Sequence, residues 1–168
     1  MTEGTGTVAS RLARLGLQLP PPPASVAAFE PYIWHGGTIY ISGQIAVRDG
    51  RLVATGRLGD EVDLAAGQDA ARACALNVLA QLQAAAGGLD AVTRLAKLTV
   101  FVACNDDFTQ QPQVADAASQ LLLDVLGAAG AHARSAIGVA AMPLGSPVEV
   151  EAIAQVSAGA VSREAQPQ

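Results

Sequence analysis

Ala133-Arg134-Ser135-Ala136-Ile137-Gly138-Val139-Ala140-Ala141-Met142-Pro143, then Val148-Glu149-Val150-Glu151-Ala152-Ile153-Ala154-Gln155-Val156, is the stretch on which the fold turns. Successive side chains of a β-strand point to opposite faces, so a strand with one buried face alternates apolar and polar residues. The second run does so: Val148, Val150, Ala152, Ala154 and Val156 share one side, and Glu149, Glu151, Ile153 and Gln155 the other. In the first run Ser135, Ile137, Val139 and Ala141 read as the apolar side, leaving Arg134, Ala136, Gly138 and Ala140 opposite. Two strands joined by a connection at Pro143 to Pro147 follow from this pattern.

Working outward, the period changes. Before this pair, Val114, Ala117, Ala118, Leu121, Leu122 and Val125 recur at helical spacing, with Pro112 near the start and Gly127 at the end. A longer helix runs from an Asp63 cap to Ala86 with Ala71, Cys74, Ala75, Val78, Leu79 and Leu82 inward, stopped by Gly87-Gly88. Between the helices, Thr93 to Ala103 reads as a strand with Ala96, Leu98, Val100 and Val102 on one face. Phe29 to His35 and Thr38 to Gln44 flank Gly36-Gly37 as a hairpin, and Arg51 to Ala54 reads as a small strand after the Asp49-Gly50 turn. The order β-β-(β)-α-β-α-β-β, with every strand greasy on one face, predicts an α+β domain: one mixed sheet with two helices on one side.

That domain spans residues 27–157. Residues 1–26 read as a short amphipathic helix over 7–16, with Val8, Leu12 and Leu15 on one side, and a Pro20 to Pro23 spacer; residues 158–168 read as a flexible tail. Ten Lys and Arg against fifteen Asp and Glu leave a net charge of −5, the wrong sign for a nucleic-acid partner. No apolar run is long enough to span a membrane, and the N-terminal apolar stretch is cut short by prolines before it could serve as a secretory core. Cys74 and Cys104 fit no metal, redox or disulfide spacing, so a cytoplasmic location is expected.

Motifs for phosphate cradles, dinucleotides, nucleophile elbows and metal-binding histidine pairs are missing from the chain. His35 and His132 sit at strand ends and are assigned no role, and both cysteines are expected to be structural. The strand parity does carry information. Ser42, Arg134 and Glu149 are expected on the face away from the helices, a face otherwise rich in Ala and Gly that another subunit would cover. Burying a guanidinium there requires a carboxylate, either Glu149 or that of a ligand.

The segment from Ala133 to Pro143 running into Val148 to Ala154 resembles the signature of the reactive-intermediate deaminase (YjgF) family. Pro31-Tyr32, Ser42-Gly43-Gln44, Thr99 to Val102 and Asp107-Phe108 resemble further family motifs in the same order, so the likeness covers about residues 28 to 156. It implies a chorismate-mutase-like fold and a homotrimer whose sheets line a central barrel, with a ligand cleft between each pair of subunits. It also implies hydrolysis of enamines and imines such as 2-aminoacrylate to 2-keto acids and ammonia, with neither metal nor organic cofactor. On this resemblance Arg134 grips the carboxylate of a small-molecule substrate, Glu149 handles the attacking water, and Tyr32, Ser42 and Gly43 line the cleft. An intersubunit Arg134–Glu149 ion pair, and plain strand-end hydrogen bonding by Tyr32 and Ser42, also fit the residues; Glu151 reads as structural. Ala136 stands where the family's familiar cysteine lies, Gly138 where a glutamate is familiar and Asp106 where an asparagine is usual. These departures mark a distinct branch and leave open a second function, non-catalytic trimeric binding of small 2-keto acids.

Overall fold

The computed structural model describes residues 6–25, 27–157 and 159, so the expected tail lies outside the described residues except for Gly159. Among the described residues seven strands and three α-helices follow one another as α1 (Val8–Arg14), β1 (Tyr32–His35), β2 (Thr38–Ile45), β3 (Val47–Arg48), β4 (Arg51–Leu52), α2 (Leu64–Ala86), β5 (Val92–Ala103), α3 (Gln111–Leu126), β6 (Ala133–Val139) and β7 (Val148–Val156). β1, β2, β7, β5 and β6 form one sheet in that order, with β5 and β6 parallel and the other pairs antiparallel. This is the mixed sheet with helices on one face that the periodicity predicts.

Local chemistry explains the boundaries. Gly36 and Gly37 both have positive φ (56° and 79°), the backbone of a two-residue hairpin turn that only glycine adopts cheaply, and His35 pairs with Thr38 across it. The Asp63 side chain accepts the Ala66 N–H at 2.8 Å, capping α2, and Gly87 ends that helix in the left-handed region. The small strand expected at Arg51 to Ala54 is a separate two-stranded ribbon, β3 with β4, around Asp49-Gly50. α1 shares the domain's core. Val8 is buried within it, the Val8 N–H reaches Asp90 Oδ1 at 3.0 Å, and Arg11 Nε donates to the Val125 carbonyl at 2.7 Å near the end of α3.

Between sheet and helices Ile39, Leu79, Leu82, Leu98, Val100 and Leu122 are fully buried. Packing there leaves no room at Gly130, whose added β-carbon would stand 2.5 Å from the Leu122 carbonyl oxygen of α3. Backbone cannot step aside as a side chain can. Gly130→Ala is therefore expected to lower stability by about 1–3 kcal/mol, read as a fall in the denaturation midpoint, without altering the sheet.

Two expectations about parity need correction. A register shift between Leu95 and Lys97 turns Leu95, rather than Ala96, into the buried face of β5. On β6 the faces are reversed. Arg134, Ala136 and Gly138 lie beside Leu98, Val100 and Val102, which are buried under the helices, so Arg134 is on the helix side and Ile137, 47% exposed, is on the open side. β6 is an edge strand with small residues on both faces, so alternation there carries no burial signal.

Candidate functional site

The Ser42-Gly43-Gln44 run interrupts the ladder between β2 and β7, where the register shifts between Ile41 and Gln44. Gln44 is buried and its amide donates to the Ser42 carbonyl at 2.9 Å, fixing the bulge from inside. The bulge faces Glu149. A β-carbon on Gly43 would stand 2.7 Å from the Glu149 Cδ and closer still to Oε1, so the carboxyl lies against bare backbone. Among the described residues nothing donates a hydrogen bond to it. Burial first, and the neighbouring Glu151 second, push the Glu149 carboxyl above the ordinary carboxylate range.

That shift has a sign in stability. A carboxyl raised on folding favours the folded chain while protonated, and this contribution is lost as pH climbs through its folded-state value. Glu149→Gln removes the loss. The variant is expected to melt above the parent protein at neutral and alkaline pH, with the gap closing below about pH 4, where both forms are uncharged.

Arg134 is on the other side of the sheet. Its Nη1 donates to Asp116 Oδ1 at 2.8 Å and to Ser119 Oγ at 3.0 Å, both on α3, and Nη2 reaches only the Pro112 carbonyl, at 3.5 Å. The side chain is 23% exposed, whereas that of Asp116 is 67% exposed. Within one chain, Arg134 and Glu149 therefore do not pair. Nη1 is occupied, Nη2 has only the long contact to the Pro112 carbonyl, and Nε has no protein acceptor among the described residues. That edge is the planar fork that grips a carboxylate through two parallel hydrogen bonds.

Other predicted positions divide. Ser42 lies on the open face, in a hollow of about 390 Å³ with Ile33, Tyr40, Lys97, Thr99 and Glu151. Its hydroxyl donates to the Glu30 carbonyl at 2.7 Å, tying down the chain that enters β1. Tyr32 is not brought beside it: it pairs with buried Ile41 and packs against the core beneath the helices. Asp106 is exposed, and the neighbouring Asn105 amide donates to the Gly59 carbonyl and Asp60 Oδ1, both at 2.9 Å. Sequence reasoning missed Asp116 and Ser119, and it gave no role to His132, whose Nε2 lies 3.0 Å from Ser119 Oγ. Cys104, expected to be structural, is buried, its sulfur 2.8 Å from the place a Gly138 β-carbon would take. Cys74 is buried, with its thiol pushed up by burial first and by Glu149 second. Among the described residues no group of three or more His, Cys, Asp or Glu comes together as a metal site, and no helix is long and apolar enough to cross a membrane.

The family model described as "YjgF/chorismate_mutase-like, putative endoribonuclease" matches residues 9–156. Protein TCP17 of Trypanosoma cruzi is 45% identical over 154 residues, covering 91% of this chain and 96% of that one. The crystal structure of Atu1372 from Agrobacterium tumefaciens, a protein of unknown function, superposes with a TM-score of 0.84 at 39% identity, over 90% of this chain and 94% of that one. E. coli TdcF with bound serine superposes with a TM-score of 0.59 at 27% identity, over 80% and 93% of the two chains.

Proposed function

From the premise that this chain belongs to the YjgF/chorismate mutase-like family, we propose that it hydrolyses small enamines and imines to 2-keto acids and ammonia. The observation that carries this reading is the Nε–Nη2 edge of Arg134, which the protein engages only through the 3.5 Å contact of Nη2 to the Pro112 carbonyl, a carboxylate fork held from behind by α3. Serine bound to TdcF, a relative, is a small molecule with the same carboxylate.

In the proposed reaction Arg134 holds the substrate carboxylate, which fixes the neighbouring C=N carbon in position. Water adds through oxygen to that carbon, its proton passing to Glu149 while the C=N electron pair moves to nitrogen. Glu149 gives that proton to nitrogen, which completes the neutral carbinolamine; it then takes the hydroxyl proton and delivers it to nitrogen, so that the C–N bond breaks and ammonia leaves as the C=O bond forms. A carboxyl poised above the ordinary range suits both transfers, because it accepts the proton and gives it back. Arg134 and Glu149 lie on opposite faces of one chain, so the cleft takes Arg134 from one copy and Glu149, Ser42 and Gly43 from its neighbour. The open sheet face, where Ile33, Tyr40 and Ile137 are 54%, 41% and 47% exposed, is the surface a homotrimer would bury around a central barrel. A cytoplasmic location suits chemistry on metabolic imines.

The test is ammonia and keto-acid release from imines generated in situ by an amino-acid oxidase, with Arg134→Ala alongside. Acceleration across none of the acidic, apolar or small side chains would overturn the reading. A second function, saturable 2-keto acid binding without turnover, is favoured by the bare Ala136 and Gly138 that follow Arg134 on the same face. Dependence of binding on Arg134 with no ammonia release would establish it. RNA suits the chain poorly, since the net charge of −5 opposes a polyanion.

A further inference from the structure

We infer that Ser119 and His132 are positioning residues that, together with Asp116, lock Nη1 of Arg134 so that its Nε–Nη2 edge is presented to a ligand carboxylate. The inference rests on the proposed carboxylate-binding role of Arg134 and deepens it.

The geometry is a one-way chain of donors. Arg134 can only donate, so Ser119 Oγ, 3.0 Å from Nη1, accepts from it. At the other end the Gly130 carbonyl can only accept, so His132 Nδ1, 2.6 Å away, carries a hydrogen and donates. Between them Ser119 Oγ lies 3.0 Å from His132 Nε2. The chain closes with each atom satisfied when the imidazole is neutral: Nε2 then accepts the Ser119 hydroxyl hydrogen, whose oxygen is thereby turned to receive Arg134. Asp116 Oδ1, at 2.8 Å, accepts from Nη1 as well. Both hydrogens of Nη1 are thus engaged, and rotation of the guanidinium about its long axis would break both bonds.

Asp116 supplies charge but little rigidity, because its side chain is 67% exposed and water competes for its oxygens. Ser119 is anchored differently. It stands on α3 next to fully buried Ala118, and the imidazole behind it is tied to the turn that ends at Gly130, where packing against Leu122 leaves no slack. Arg94 and Gln155 share the hollow of His132 but make no hydrogen bond to its ring. A flexible guanidinium becomes a fixed fork, and fixing a recognition group before the ligand arrives lowers the ordering cost of binding.

The test measures calorimetric binding of 2-oxobutanoate to the full chain, with KM and kcat from the imine assay. Ser119→Ala and His132→Leu are each expected to weaken binding roughly five- to twentyfold. KM should rise by the same factor while kcat stays within about twofold. Conservative changes that keep the chain, Ser119→Thr and His132→Gln, should restore binding to within about twofold. On an Arg134→Ala background Ser119→Ala should cost nothing further, because the group it positions is gone. Binding unchanged in Ser119→Ala and His132→Leu while Arg134→Ala loses it would overturn the inference and leave the reading of Arg134 standing. So would losses that add on the Arg134→Ala background. An Arg134→Ala variant that binds 2-oxobutanoate like the parent protein would instead bring down the carboxylate reading itself.

Discussion

Arg134→Ala is expected to lower kcat/KM for imine hydrolysis by roughly 10²–10³ while barely moving the melting temperature. The size follows from two charge-assisted hydrogen bonds to the substrate carboxylate, each worth about 1.5–3 kcal/mol and partly replaced by water in the variant. The near-silent stability follows from Asp116, whose 67% exposure lets water solvate the carboxylate that the arginine leaves behind. Arg134→Lys is the sharper comparison. Lysine keeps the charge but offers a point donor in place of the fork, so it should recover only part of the loss. Turnover undiminished in Arg134→Ala would remove the mechanism. Equal losses in activity and in melting temperature would make Arg134 a structural residue.

The reach of the sequence can be judged from the same residue. The resemblance of residues 133–154 leads to the right family, and the helical and strand periods lead to the right architecture, because α2 and β7 each bury one full face. Arg134's surroundings were less legible. Alternation on β6 reports nothing about burial, since a strand at the sheet edge with small residues on both faces has no face that must be dry. Only the parallel register with β5 shows that Arg134 sides with Leu98, and a parallel partner 36 positions away is not a local property of the chain. One signal was nonetheless available. Period-two spacing puts His132 and Arg134 on the same side, and helical spacing puts Asp116 and Ser119, three residues apart, on one face of α3. The bulge at Leu95 and Lys97 left no comparable trace, because Ala96 is itself apolar and fits the alternation that Leu95 breaks.

Glu149 shows the opposite case, in which a glycine records the site more sharply than the acid does. Gly43 is not among the glycines held at positive φ, so alanine can adopt its backbone and the bulge should survive. What alanine lacks is space, because its β-carbon would stand 2.7 Å from the Glu149 Cδ. The carboxyl must swing away, towards Glu151 or into solvent, and the proton acceptor leaves the position from which it meets water. Gly43→Ala is therefore expected to lower kcat by roughly 10²–10⁴, the usual contribution of a positioned acid–base group, with KM nearly unchanged because Arg134 of the neighbouring copy still holds the substrate carboxylate. Glu149→Gln should lose about as much. The double variant should lose no more than either single one, since both act on one carboxyl. Losses that multiply in the double variant would mean that Gly43 acts through the backbone of the bulge instead. Glu149→Asp on the Gly43→Ala background separates the two further: the shorter acid clears the new methyl, so partial recovery of kcat is expected if the clash is the cause and none if the bulge itself has changed.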